Sequence, residues 1–158
     1  DCTRAENRLA VVNSLGLCAF LVGPDTILYP LDMFAAALLA STGVEMTSRE
    51  ILTAGERTVN LEKAFNSRLG LRREDDRLCA RWMDEPLDHK YSPARGMKAS
   101  DFLEVTKGEY YEAHGWDKET SLQTRERLEE LDMADVAEVL AKENALAATR
   151  CPAVPVTG

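Results

Sequence analysis

Long apolar runs are missing from this 158-residue chain: the longest unbroken stretch of hydrophobic side chains, Met33 to Ala40, is eight residues. A bilayer-spanning helix needs about 20, so no membrane segment is expected. No basic stretch followed by a hydrophobic run opens the chain, so no secretion signal is expected either. Cysteine is sparse and scattered, at positions 2, 18, 79 and 151. Neither a C-x-x-C pair nor a Cys/His ladder occurs, which excludes a zinc finger or a whole iron–sulfur site built by local spacing. Scattered cysteines without an export signal suggest a reducing compartment, hence a cytoplasmic location. Positive charge is also short: 19 Lys+Arg face 27 Asp+Glu, a formal −8. So acidic a surface repels phosphate backbones, and nucleic acid is not an expected partner.

What the chain does contain is helix. Its length suits one domain with a core of its own. Ala5, Leu9 and Val12 recur at i, i+4, i+7 until Gly16 stops the pattern. Met33 to Ala40 is apolar all round, which predicts a short buried helix. Thr47-Ser48-Arg49-Glu50 has the form of a capping box. After it Ile51, Ala54, Thr58, Leu61, Phe65 and Leu69 hold helical spacing up to Gly70, a natural C-terminal stop. Ser100-Asp101 can cap the next helix, on which Leu103, Thr106, Tyr110 and Ala113 share a face before Gly115. Two further helices are expected at about Thr124–Leu131 and Ala134–Ala148, with Val136, Val139 and Leu140 turned inward. Period-two alternation is almost absent. The expected fold is all-α.

Charge and loops refine this outline. Residues 1–55 carry a net −3, residues 56–95 carry +1, and residues 96–158 carry −6. The middle is charge-dense but balanced, as exposed helix faces and turns with paired charges are. Leu87 to Gly96 contains Pro93 and has no periodicity, so it reads as a surface loop. Residues 1–150 form the expected helical domain. Residues 151–158, with Pro152 and Pro155, read as an extended tail.

Several residues carry chemistry worth weighing. Asn13-Ser14-Leu15-Gly16-Leu17-Cys18 ends a helix at a glycine, turns, and presents a thiol. Such a turn can offer free N–H groups and an Asx side chain to a ligand. On these residues alone the simpler account is a helix C-terminal cap followed by a buried cysteine packing as a small hydrophobe. His114 could serve as a general base, though a cap at a helix C-terminus suits its charge better. Tyr110, Tyr111 and Trp116 could form a stacking platform, but acidic surroundings favour core aromatics. Glu126, Glu129 and Glu130 read as a solvated helix face.

The order of several sequence words adds to this. Asn60-Leu61-Glu62-Lys63-Ala64-Phe65-Asn66-Ser67-Arg68-Leu69-Gly70 is followed by Asp75-Asp76-Arg77-Leu78, Glu109-Tyr110-Tyr111, Gly115-Trp116-Asp117 and Leu128-Glu129-Glu130-Leu131-Asp132-Met133. This series resembles the C-terminal domain of the tungsten-containing aldehyde:ferredoxin oxidoreductase family, whose words N-L-x-x-x-F-N-x-R-x-G, D-D-x-L, E-Y-Y and G-W-D come in the same order. The resemblance runs from about Asn13 to Met133.

The resemblance implies an irregular multi-helix domain, a C-terminal fragment of a longer enzyme. The implied reaction is oxidation of an aldehyde to a carboxylic acid. Electrons would leave a tungstopterin (or molybdopterin) through an adjacent 4Fe-4S cluster to ferredoxin. Asn13 to Cys18 matches the family's D-x-x-G-L-C segment. By carry-over Cys18 is the metal ligand of the cluster, and Asn13, Gly16 and Leu17 line the pterin. The other three cluster cysteines lie upstream in the family. Asn13 departs from the family's Asp: an amide oxygen still accepts, but brings no charge to the pterin's amino groups. Cys79 stands where a proline is usual and reads as structural. Ser121-Leu122-Gln123-Thr124 replaces a G-x-P-T-like helix entry, a change expected to touch only the turn. The implied partners are ferredoxin or a similar carrier and the N-terminal domains of the same protein, with a homodimer left open. No catalytic residue is assigned to the fragment, which alone is expected to be inert. The competing readings are a helical scaffold that kept the fold, favoured by Asn13, and a relative acting on another substrate such as an aromatic ring.

Overall fold

A computed structural model describes residues 2–22 and 30–148. Its helices are α1 (Cys2–Ser14), α2 (Ala19–Val22), α3 (Leu31–Thr42), α4 (Ser48–Arg68), α5 (Ala80–Asp84), α6 (Leu103–His114), α7 (Arg125–Glu130) and α8 (Ala134–Lys142). A 3-10 turn, Ala99–Asp101, precedes α6. Among the described residues there is no strand, only an isolated bridge between Trp116 and Gln123. The all-α reading holds. The expected tail, 151–158, lies outside the described residues.

Helix α4 is the axle of the fold, and its start follows from the sequence. The Thr47 hydroxyl accepts from the Glu50 N–H at 3.2 Å, while the Glu50 carboxylate accepts from the Thr47 N–H at 2.7 Å. The Thr47 N–H, and then the Thr47 hydroxyl that also donates to the carboxylate, hold the Glu50 carboxyl below its ordinary pKa. At the far end the chain leaves the helix through Leu69 and Gly70, whose φ of +92° suits glycine.

The buried face of α4 is not the expected one. Ile51, Gly55, Val59, Asn60, Ala64 and Ser67 face inward, whereas Leu61, Phe65 and Leu69 are 55, 61 and 65 % exposed. The reason lies at Gly55. A Cβ there would stand 2.8 Å from Val11 Cγ2 and closer still to the Asn7 carbonyl oxygen. Helix α1 therefore lies directly on the α4 backbone along the stripe that contains the glycine. Small residues, rather than the bulkiest ones, define the contact.

Three clusters line up along that stripe. Ile51 packs with Val11, Val12 and Phe34; Val59 packs with Ala10, Tyr111 and Trp116; Ala64 packs with Leu128, Leu131, Met133, Ala137 and Leu140. Other expected faces are corrected in the same way. On α1, Ala5 and Leu9 are exposed, and the buried stripe is Asn7, Ala10, Val11 and Val12. On α3 only Phe34 is buried; Met33 and Leu39 are exposed, so this apolar helix is not enclosed. Helix α8 ends at Lys142, because Asn144 turns at φ +54°, and its inward residues are Ala137 and Leu140 rather than Val139. Asp101 accepts from the Lys98 N–H at 2.8 Å and so caps the 3-10 turn, with α6 starting two residues later. The Leu87–Gly96 segment is an irregular surface loop, as expected.

Two outcomes follow. Gly55→Ala should force α1 off α4 and cost about 1–3 kcal/mol, the usual penalty for overpacking, read as a lowered midpoint in chemical denaturation. Helical circular dichroism should survive chelation, since the clusters above are hydrocarbon; loss of helix on removing metal would show that the chain folds around an ion.

Candidate functional site

The Asn13–Cys18 segment forms one compact turn. At the end of α1 the Gly16 N–H donates to the Asn13 carbonyl and the Leu17 N–H to the Val12 carbonyl, each at 3.0 Å. Gly16 sits at φ +71°, with open space where a Cβ would stand, so the left-handed backbone and not crowding explains the glycine. Asn13, Gly16, Leu17 and Cys18 are all exposed on this turn. Cys18 carries a free thiol at the surface, which overturns the reading of a buried small hydrophobe. A single exposed thiol fits one ligand of a shared metal centre and no more. Among the described residues no group of three or more His, Cys, Asp or Glu side chains could hold a metal ion. Cys79 is likewise exposed, at the N-cap position of α5, so it is not a buried structural cysteine. Cys151 lies outside the described residues.

The opposite half of α1 is tied into a polar interior that the sequence did not announce. Glu6 accepts from the Tyr110 hydroxyl at 2.7 and 3.0 Å and from His114 Nε2 at 2.9 Å. The His114 ring is buried and stacked on Trp116, with centroids 4.4 Å apart and planes at 16°. His114 does end α6, but its ring bonds α1 instead of capping its own helix. Burial opposes the Glu6 charge, yet the bonds from His114 and Tyr110 and the charge of His114 outweigh it, leaving the Glu6 pKa below the ordinary carboxylate value. Burial, then the bond to Glu6, raises the Tyr110 pKa, so this phenol stays protonated and donating.

Behind this lies a second network. Trp116 Nε1 donates to Asn60 Oδ1 at 2.9 Å, and Gln123 Nε2 donates to the Asn60 side-chain and main-chain oxygens at 2.8 and 2.9 Å. Gln123 is fully buried, so the Ser121–Thr124 departure alters the interior and not merely a turn. Tyr111 and Trp116 are core aromatics, while Glu126, Glu129 and Glu130 are exposed, both as expected.

Between α1, α4 and α6 opens a cavity of about 630 Å³. Glu6, Lys63, Asp76, Lys107 and Tyr110 line it together with the apolar surfaces of Val59, Leu103 and Trp116. The face shared by Leu103, Thr106, Tyr110 and Ala113 does exist, and it lines this cavity. Tyr111 donates to Asp76 at 2.6 Å, so adjacent tyrosines of α6 hold two carboxylates on different walls. Sequence spacing missed the cavity because Glu6, Lys63, Asp76 and Tyr110 come from four distant segments. Three of them do lie in or beside the family-like words, which was the one available signal.

The described chain is an all-α unit whose first helix ends in a turn with an exposed free thiol. Its protein class follows from known proteins. A family model described as "Aldehyde ferredoxin oxidoreductase, domains 2 & 3" matches residues 2–133. The chain belongs to this aldehyde ferredoxin oxidoreductase family. It is 31 % identical over 131 residues to the tungsten-containing aldehyde ferredoxin oxidoreductase of Pyrococcus furiosus, covering 82 % of this chain and 20 % of that protein. The Thermococcus kodakarensis protein of the same name is 28 % identical over 127 residues, covering 80 % of this chain and 20 % of that protein. The fold is similar to the active site complex BamBC of benzoyl coenzyme A reductase in complex with 1,5 dienoyl-CoA, with a TM-score of 0.72 at 24 % identity over 93 % of this chain and 21 % of that one. The chain thus spans about a fifth of the length of these relatives. Among the described residues no helix is long and apolar enough to cross a membrane.

The Glu6 pair makes a pH prediction. Its folded-state pKa is lowered, so its contribution is complete above the ordinary glutamate value and is lost as pH falls through the lowered one. Glu6→Gln should lower the melting temperature at neutral pH, with the deficit shrinking on acidification below the carboxylate range. A deficit that stays constant across that range would mean that Glu6 acts by shape alone.

Proposed function

We propose that this chain is the C-terminal part of an oxidoreductase that converts aldehydes to carboxylic acids with ferredoxin as acceptor, and that it forms one wall of the cofactor pocket. The observation that carries this reading is the exposed Asn13–Cys18 turn, where a free thiol, a leucine and an amide stand together at the end of a rigid helix. In this reading Cys18 binds the 4Fe-4S cluster and Asn13, Gly16 and Leu17 lie against the pterin of a tungsten or molybdenum cofactor. That cofactor supplies the oxidation chemistry and the cluster its electron path.

The chain's own residues do the positioning. The Gly16 turn brings backbone close to a flat ligand, Leu17 offers it an apolar face, and the Asn13 amide presents an oxygen or an N–H to ring substituents. The Glu6–His114 and Asn60–Trp116 bonds hold α1 and its neighbours in place behind them. The exposed stripe of Leu61, Phe65 and Leu69 supports burial against N-terminal domains of the same polypeptide, which would supply the other cluster ligands. A cytoplasmic location agrees with the iron–sulfur chemistry. The 158-residue chain alone is inert in this reading, because one thiolate cannot hold a cluster.

The test is substitution in the longer protein. Cys18→Ala should cost the cluster or weaken it, since a thiolate binds iron covalently and alanine offers nothing in its place. Cys79→Ala and Cys151→Ala should leave the cluster intact. Iron content and the cluster's paramagnetic signal decide it, and a normal cluster in Cys18→Ala would refute the assignment.

A further inference from the structure

The cavity between α1, α4 and α6 holds two lysines in unlike settings. Lys107 is tightly held: its ammonium lies 2.8 Å from Glu104 Oε1 and donates to the Arg73 carbonyl at 3.1 Å. Lys63 is held loosely. Its carboxylate partner, Asp76, is 3.7 Å away, and it donates to the Ser121 hydroxyl at 3.2 Å. Both side chains are equally withdrawn, each 11 % exposed. Around Lys63 the walls are aromatic, with the Trp116 and Tyr111 ring centroids 5.2 and 5.6 Å from Nζ. Beyond them the cavity offers Val59, Leu71 and Leu103.

We propose that this cavity is a carbonyl-binding site in which Lys63 forms a reversible imine with a small aldehyde bearing an apolar tail. An amine in an apolar pocket is the usual way to make lysine nucleophilic, because burial disfavours the ammonium. That direction holds here: burial lowers the Lys63 pKa, and the opposing pull of Asp76 does not cancel it. The chemistry balances with water as the proton carrier. Lys63 that has lost its proton to water attacks the aldehyde carbon as the free amine. The resulting carbinolamine takes a proton from solvent and loses its oxygen as water, leaving a protonated C=N bond on Nζ with the Asp76 carboxylate 3.7 Å from that nitrogen as counter-charge. A C=O bond breaks, a C=N bond forms, and nothing is oxidised or reduced. The Trp116 and Tyr111 faces that now border the ammonium would border the iminium, which keeps the positive charge.

The proposal goes beyond the cofactor wall and takes from the proposed function only the choice of an aldehyde as probe. The test is reductive trapping of the 158-residue chain at neutral pH with benzaldehyde and cyanoborohydride, read by peptide mass spectrometry. Adduct at Lys63 should run severalfold ahead of Lys107 in the same cavity and of the exposed Lys90, Lys98 and Lys142. Benzyl alcohol, which has the same tail and no carbonyl, should protect Lys63 and none of the exposed lysines. Lys63→Arg should remove the adduct from that peptide while helical circular dichroism and labelling elsewhere are unchanged. Labelling that simply follows exposure, with Lys63 at or below Lys90, would overturn the proposal, and so would failure of benzyl alcohol to protect. Because the readout is an amine adduct, a negative result leaves the Cys18 assignment standing, and the iron measurement on Cys18→Ala leaves this one standing.

Discussion

Helix α1 rests on the backbone of α4 at Gly55, and the rest of the arrangement depends on that contact. With no side chain at that point, the Asn7 carbonyl and Val11 side chain settle onto the α4 surface. That contact fixes the depth and rotation of α1. It sends Val11 and Val12 toward Ile51 and Phe34, and Ala10 toward Val59 and Trp116. It also presents Glu6 to α6 and leaves the Asn13–Cys18 turn projecting from the other end. One helix thus carries both an interior anchor and an exposed thiol. Their separation is set by a rigid rod, so what holds the anchor also places the turn.

The interior held by that crossing contains polar side chains as well as hydrocarbon. Asn60, His114, Ser121, Gln123 and Thr124 are all buried; Asn60 and Gln123 take part in the bonds that join α4 to the Gly115–Thr124 segment, and His114 joins α6 to α1. Each such group is costly to bury alone and worth about 1 kcal/mol when bonded, so these contacts specify geometry more than they add stability. The removal of one partner leaves the others unsatisfied, which ties the segments together. The two tyrosines of the E-Y-Y word show the same logic. Tyr110 secures Glu6 and Tyr111 secures Asp76, and the space between the two carboxylates is the cavity.

How much of this the sequence disclosed can be judged residue by residue. Thr47 and Glu50 announced the start of α4 because a capping box is a local device, complete within four residues. Gly16, Gly70 and Gly115 announced stops because each supplies a positive φ that its neighbours cannot. The ordered words from Asn60 to Met133 announced the family, since several independent matches in one order are hard to produce by chance. The turn at Cys18 was also legible, as Asn13 to Cys18 is contiguous. Leu61, Phe65 and Leu69 were misread because helical spacing reveals apolar stripes but not which stripe has a neighbour.

The sequence by itself therefore determined the helices, their caps and stops, the family and the thiol-bearing turn, all of which arise from interactions within a few residues or from word order. The tertiary structure alone decided which faces are buried, that His114 meets Glu6 across 108 positions, and that Lys63 shares a cavity with Asp76 and Trp116. The physical reason is that periodicity sets the phase of a helix only relative to itself. Which phase faces the core depends on where two backbones can touch, and in this chain that was settled by a missing side chain at Gly55.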